Sequence, residues 1–483
     1  MELNFSQGTL TLTNAPRGFV ERSATLARYF TWDTRSLDYR SDALQYAAIQ
    51  TQFAQLLAPG TSLSIEATTG ASGSTVSFED QVPQWQPVSW PQLALRELRA
   101  EQEAAVAAWL PGRRGVIVMP TGTGKTEVAL ALMARCATST LVVSPVRDLM
   151  YQWQRRILAA TGYDAGVIGD RLYQVKPISV TTYDSAGIHM ERLGNQFGLI
   201  IFDECHHLPG PMRRDAARMS AAPWRLGLTA TPDRADGRHA DLDVLIGPKV
   251  YELTLQQVRG QSVADYDVVR VPVHLTSDEQ SRYNRLSREV QEYMLARRQE
   301  EPKFSWEDLC ADLGRTPEAR RAHKAYLAKQ AIEDRALEKL RVIEDLFRLH
   351  PGEKCLIFAG SNAMARDVSR RFLIPCLLSH CGKEERREVL TGLEAGTYPA
   401  LVANKVLDEG VDLPAVKLAI VIGGTSSSRQ AKQRLGRILR KSGRTRALLY
   451  EIVCQDTNEE DRSRKRRSSE AYQGTRHRRA PEC

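Results

Sequence analysis

Val116-Ile117-Val118-Met119-Pro120-Thr121-Gly122-Thr123-Gly124-Lys125-Thr126 is the stretch on which the reading of the chain turns. Its start belongs to an apolar run from Gly115 to Met119, a strand candidate. Pro120 to Gly124 make a loop of proline, glycine and threonine, and Lys125 to Cys136 favour a helix. Strand, glycine loop and helix start form the setting of a phosphate-binding loop, where backbone N–H groups face an anion. Gly122 and Gly124 let the backbone curl so that those N–H groups converge. In this role Pro120, Thr121, Gly122, Thr123 and Gly124 would cradle ATP, Lys125 would reach its β- and γ-phosphates, and the Thr126 hydroxyl would take one Mg2+ position. Met119 stands where the strict G-x-x-x-x-G-K-[ST] pattern wants its first glycine. The rival reading of the stretch is a chance Gly/Thr turn before a helix, and the match favours the phosphate loop over it.

Moving outward, residues 91–250 alternate strands with helices, which predicts a parallel sheet. The strand candidates are Val116–Met119, Leu141–Ser144, Ile178–Thr181, Leu199–Phe202 and Arg225–Leu228. In open α/β sheets ligands bind at the carboxyl ends of strands, so the loops after these runs should gather. Two of them are informative. Phe197 to Phe202 delivers Asp203-Glu204-Cys205-His206-His207 directly. An acidic pair at a strand end, downstream of a phosphate loop, suits ATP hydrolysis: Asp203 would bind Mg2+ and Glu204 would orient and deprotonate the attacking water. Two adjacent imidazoles make poor zinc ligands, so no structural zinc is expected. Leu228-Thr229-Ala230-Thr231-Pro232 is a further strand-to-loop junction, whose hydroxyls could relay between the acids and a neighbouring surface or form a plain turn.

The flanks are different in kind. Residues 1–60 read as a small α+β module, with Leu3, Phe5, Leu10 and Leu12 in strand alternation and Tyr46, Ile49, Phe53 and Leu57 at helical spacing. Residues 61–90, rich in Gly, Ser, Thr and Pro, read as a linker with room for a strand or two. A second α/β domain spans 251–455, with strand candidates Cys355–Phe358, Leu401–Ala403, Leu418–Ile422 and Leu448–Val453. It is interrupted at about 278–330 by a helical segment bearing Leu286, Val290, Tyr293 and Met294, an apolar junction at Phe304, Trp306 and Leu309, and a basic face of Arg320, Arg321, Lys324 and Lys329. That face suits a polyanion or is a solvated helix surface. In Gln433-Arg434-Leu435-Gly436-Arg437-Ile438-Leu439-Arg440, the residues Gln433, Arg437 and Arg440 fall on one helical face, which suits a γ-phosphate carrying developing charge or is an exposed basic helix. Residues 456–483 read as a basic, disordered tail.

Composition agrees with a globular protein of several domains: 483 residues, 42% hydrophobic, 26% charged, net charge +8. The positive charge fits a polyanion partner, although the tail alone could account for it. No 18-residue apolar run predicts a membrane span, and Met1 to Thr13 carries no signal-peptide pattern. The eight cysteines form no C-x-x-C pair, so reduced cytosolic thiols are expected.

These blocks, in this order, resemble superfamily-2 helicases, and more closely the XPB (xeroderma pigmentosum B) type of DNA repair helicase in its archaeal and bacterial form. The closer likeness lies in Ile178 to Ala186, in Leu208-Pro209, in Ser220 to Thr231, and in Trp32-Asp33-Thr34-Arg35 followed by Tyr39-Arg40. The resemblance implies two RecA-like parallel-sheet helicase domains, a damage-recognition-like N-terminal module and a thumb-like insertion. It implies that Gln102 reads adenine, that His206, Thr229 and Thr231 couple hydrolysis to DNA, and that Gly410 and Asp412, in Glu409-Gly410-Val411-Asp412-Leu413-Pro414, contact nucleotide and nucleic acid. Arg437 and Arg440 would be arginine fingers. The group carries Arg-Glu-Asp after the coupling motif as a DNA-opening element, and here the residues are Arg234-Ala235-Asp236. The expectation is therefore an ATP- and Mg2+-dependent helicase or translocase on duplex or forked DNA, in the cytoplasm and associated with the nucleoid, with a nuclease as a possible partner. Two alternatives stand: an ATP-gated DNA clamp that recruits a nuclease and hardly unwinds, and an RNA-remodelling helicase.

Overall fold

The computed structural model describes residues 1–15, 18–56, 78–231, 237–254, 257, 266–378, 380–404, 416–423, 447–467 and 477–479. The chain divides into two units, Met1–Thr254 and Leu255–Cys483.

The first unit begins with a five-stranded sheet: β1 (Glu2–Ser6), β2 (Thr9–Thr13), β3 (Thr31–Asp33), β4 (Asp38–Asp42) and β5 (Glu79–Asp80), in the order β3-β4-β2-β1-β5. The helix Tyr46–Leu56 turns Tyr46, Ile49 and Phe53 onto it, and these three join Leu3, Leu10, Leu12 and Tyr39 in one buried cluster. Leu57 lies outside the described residues. The latter part of the expected linker is structural. β5 pairs in parallel with β1, and Val82 is fully buried in the module's core. Tyr46 and Gln50 both donate to the Asp80 carboxylate, which ties that strand to the helix. A polar side chain held by two hydrogen-bond donors gave no hydrophobic signal, which is why composition read as linker.

The module is docked on the sheet that follows. Asn195 Nδ2 donates to Val82 O at 3.0 Å, Arg218 pairs with Asp42 at 2.8 Å, and Ala221 sits inside the module's apolar cluster. That sheet has eight strands: β6 (Arg114–Val118), β7 (Thr140–Ser144), β8 (Gly166–Gly169), β9 (Leu172–Tyr173), β10 (Ile178–Thr182), β11 (Leu199–Asp203), β12 (Trp224–Thr229) and β13 (Lys249–Glu252). Their order is β13-β6-β12-β11-β7-β10-β8-β9, parallel throughout except for the β8–β9 hairpin. β7, β10 and β11 are buried along their whole lengths, the pattern of a sheet covered on both faces. The order sets β6, β12 and β11 side by side, so the loops that leave them emerge at one edge.

The second unit is built on β14 (Tyr266–Val273), β15 (Cys355–Ala359), β16 (Cys376–Leu377), β17 (Ala400–Ala403), β18 (Leu418–Ile422), β19 (Ala447–Cys454) and β20 (His477–Arg479), an all-parallel sheet in the order β16-β17-β15-β18-β19-β14-β20. Both sheets are of the RecA-like helicase kind. Between β14 and β15 come the helices Ser277–Glu300, Trp306–Ala311, Pro317–Asp334 and Leu337–Leu349. Phe304, Leu309 and Ala322 form a small core with Tyr293, Met294 and Trp306 packed on it.

Two expectations need correction. Lys329 is not on the exposed basic face: it is 5% exposed, with its ammonium 5.4 Å from the Tyr283 ring. It falls on the buried stripe Ala322, Ala325, Lys329 and Glu333, whereas Arg320, Arg321 and Lys324 point outward. Nor is the tail wholly disordered. Asn458–Arg467 is a helix whose Glu459 and Ser463, one turn apart, are fully buried. Glu459 binds the equally buried Lys339 at 2.7 Å and accepts from Cys454 N at 2.9 Å. Ser463 Oγ donates to Glu451 Oε2 at 2.9 Å, and Arg462 pairs with Glu333. Glu459, Arg462 and Ser463 find their partners inside the fold, which average polarity does not reveal.

Candidate active site

The phosphate-loop stretch takes the conformation its residue types favour. Gly122 and Gly124 stand at φ 86° and 83°, and Gly124 is the residue before the helix Lys125–Cys136. The backbone angle favours glycine at Gly124, and a Cβ there would push against the Gln102 side-chain amide. Met119 buries its side chain completely and serves the loop through its backbone. Its N–H donates to Thr229 O at 3.0 Å, and its carbonyl accepts from Lys125 Nζ at 3.2 Å. The missing first glycine is thus filled by a residue whose side chain is core. Thr123 closes the turn, its hydroxyl donating to Pro120 O at 2.7 Å.

Gln102 is 2% exposed and holds this loop. Its Nε2 donates to Thr123 O at 2.8 Å, and its Oε1 accepts from Arg99 N at 2.9 Å. Arg99 Nη2 donates to the same Thr123 carbonyl.

The acidic pair arrives on β11. Asp203 is buried, its Oδ2 accepting from Trp153 Nε1 at 2.8 Å and its Oδ1 from Glu204 N at 3.0 Å. Burial, then the neighbouring Glu204, pushes its carboxyl up to about 6. Glu204 adopts φ 48° and ψ 53°, a left-handed conformation that costs a non-glycine residue energy and clusters at functional sites. Glu204 Oε1 lies 3.9 Å from Lys125 Nζ, with both side chains about nine-tenths covered (10% and 12% exposed). Lysine and acid therefore converge from two strands separated by β12.

His206 is fully buried, with Nδ1 2.9 Å from Thr229 Oγ1 and 3.5 Å from Glu204 Oε2. Thr229 Oγ1 donates to Thr231 O and accepts from Thr231 N, both at 3.1 Å.

Lys125, Asp203, Glu204, His206, Thr229 and Thr231, with the loop Pro120 to Thr126 and Gln102, thus lie in one connected neighbourhood. Arg234, Ala235, Asp236, Gly410, Asp412, Gln433, Arg437 and Arg440 lie outside the described residues. Trp153 and Tyr183, which touch Asp203, were not singled out by sequence. No local pattern in the sequence marks where an indole N–H will point.

The residues present fit a nucleotide triphosphate with Mg2+. Thr121 Oγ1 and Glu204 Oε2 are buried without a hydrogen-bond partner, at the loop and beside its lysine. Among the described residues no three His, Cys, Asp or Glu side chains gather as a metal cage. Mg2+ needs none: it keeps waters and is held by one or two protein ligands plus phosphate oxygens.

Residues 95–234 match the type III restriction enzyme res subunit family, residues 338–442 the helicase conserved C-terminal domain, and residues 3–58 the xeroderma pigmentosum group B helicase damage recognition domain. The DNA 3'-5' translocase XPB2 of Sulfurisphaera tokodaii is 41% identical over 372 residues, covering 77% of this chain and 84% of that protein. The chain belongs to the XPB family. Another relative, the DNA 3'-5' helicase XPB of Kineococcus radiotolerans, is 32% identical over 391 residues, 78% of this chain, and the chain spans 63% of its length. The helicase domain of Pyrococcus furiosus Hef superposes with a TM-score of 0.52 at 15% identity, covering 75% of this chain and 97% of that one, which speaks for the fold alone. As an XPB family member the chain carries both helicase domain types and the damage recognition domain in one polypeptide.

Proposed function

We propose that this chain is an ATP-hydrolysing motor that opens or translocates along duplex DNA, in the service of DNA repair. The observation that carries this is the 3.9 Å approach of Lys125 and Glu204 at the edge where β6 and β11 end, within a member of the XPB family. Lys125 and the loop residues Pro120, Thr121, Gly122, Thr123, Gly124 and Thr126 grip the phosphates, and Gln102 reads the adenine. Glu204 orients the attacking water and takes its proton. Thr126 and Asp203 hold Mg2+, which when bound neutralises charge on the β- and γ-phosphates. Gln433, Arg437 and Arg440 act on the γ-phosphate as the hydrolysis proceeds, and Gly410 and Asp412 contact nucleotide and nucleic acid. His206, Thr229, Thr231, Arg234 and Asp236 pass the state of the nucleotide to DNA, which is held mostly by its phosphates, so affinity falls steeply with salt.

Ala235 favours a second reading, in which the chain is an ATP-gated clamp on DNA that recruits a nuclease and hardly unwinds. Among the described residues no helix is long and apolar enough to cross a membrane. We place the protein in the cytoplasm with the nucleoid.

The test is steady-state ATPase across forked duplex DNA, blunt duplex, single strand and structured RNA, beside strand displacement on the fork. Stimulation by duplex DNA with displacement supports the helicase. Stimulation without displacement supports the clamp or translocase, and preference for RNA overturns the assignment.

A further inference from the structure

Two buried aromatic side chains aim polar groups at the acidic pair. Trp153, on the helix Arg147–Thr161 that follows β7, is 2% exposed and donates Nε1–H to Asp203 Oδ2 at 2.8 Å. Tyr183, the first residue of the helix Tyr183–Leu193 after β10, is fully buried and donates its hydroxyl to Asp203 O at 2.9 Å. Packing alone explains a buried aromatic ring, but it does not explain two donors meeting on one residue.

The chemistry of the donors is selective. An indole N–H can only donate, as can the Glu204 backbone N–H on the other carboxylate oxygen. Both therefore call for the ionised carboxylate, the form a divalent cation needs. The same contacts immobilise the peptide between Asp203 and Glu204. Tyr183 holds its oxygen, and the Asp203 carboxylate, itself held by Trp153, takes its N–H. Rotation about the next bond places Glu204 at φ 48°, a conformation that needs outside support.

We propose that Trp153 and Tyr183 are positioning residues for the ATPase: Trp153 keeps Asp203 aimed as a metal ligand, and Tyr183 fixes the turn that presents Glu204 to the attacking water. This rests on the reading of Asp203 as the Mg2+ ligand.

The test uses the full chain and a fluorescent mant-ADP probe, titrated in Mg2+ and in EDTA, with ATP turnover measured beside it. Trp153→Phe keeps the ring and loses the donor. It is expected to lose about tenfold of the affinity that Mg2+ adds, with affinity in EDTA unchanged. Tyr183→Phe is expected to lower kcat about tenfold with KM unchanged. Ile157→Ala, one turn along the helix from Trp153 and fully buried, serves as the packing control: it lowers Tm and leaves the Mg2+ gain intact. Trp153→Phe retaining the full gain, or losing affinity equally in Mg2+ and EDTA, overturns the role of Trp153. If that variant fails to fold, Tyr183→Phe decides, and an unchanged kcat overturns the proposal. Asp203→Asn separates the two layers: if it retains the Mg2+ gain, the site reading itself fails, whatever the aromatic variants do.

Discussion

His206 Nδ1 and Thr229 Oγ1 share a hydrogen bond across 2.9 Å, joining the turn after β11 to the end of β12. The same histidine nitrogen stands 3.5 Å from Glu204 Oε2, and the threonine is bonded on both sides to Thr231. A run of direct contacts thus leads from the acid through His206 and Thr229 to the loop that follows β12.

Thr229→Val keeps the volume and removes the relay. ATP turnover without DNA is expected to stay within about threefold, while stimulation by duplex falls about tenfold, because one hydrogen bond to a charged or polar partner is worth about that much. ATPase assays with and without forked DNA check this. Equal loss of both rates would assign Thr229 to the hydrolytic step instead.

Glu204→Gln removes the base and leaves the turn. The expected loss in kcat is about a hundredfold or more, with mant-ADP affinity nearly unchanged. Lys125→Ala is expected to abolish nucleotide binding itself. The contrast between the two, measured by fluorescence titration and single turnover, separates grip from chemistry.

In the second unit, Lys339 and Glu459 are both fully buried and 2.7 Å apart. Lys339→Met strands a buried carboxylate and should cost about 3–5 kcal/mol, whereas Lys339→Met with Glu459→Leu should recover much of that loss. Denaturant unfolding of the three proteins reads the difference.

In the β3–β4 hairpin, the Arg35 side chain and backbone, both bonded to Asp33, hold that carboxyl down to about 2. A depressed carboxyl stabilises the folded state above the ordinary value of 3.8 and loses that stabilisation as pH falls through about 2. Arg35→Ala should move the Asp33 midpoint back toward 3.8, as followed by carboxyl-carbon NMR.

Where apolar residues ended in turn chemistry, the sequence disclosed the strands: β6, β7, β10, β11 and β12 stand where short runs bearing Val, Ile or Leu precede polar loops. The strands it hid lack that contrast. β8 is bounded by Gly166 and Gly169, β13 is Lys249–Glu252 with charges at both ends, and β14 contains Pro272. Lys125, Asp203 and Glu204 were legible because their chemistry depends on local order along the chain. Trp153 and Tyr183 were not, because their partner lies 50 and 20 positions away. Lys329 and Glu459 were misread for the reverse reason: each is a charged side chain whose neutraliser or aromatic cover comes from a distant helix.

The Lys339–Glu459 pair spans 120 positions of chain. During synthesis the lysine emerges long before its acid, so a nascent polypeptide that stops short of Glu459 carries an uncompensated cation at the centre of an unfinished lobe. Prematurely ended translation products should then be cleared by proteases rather than linger as half-motors competing for damaged DNA.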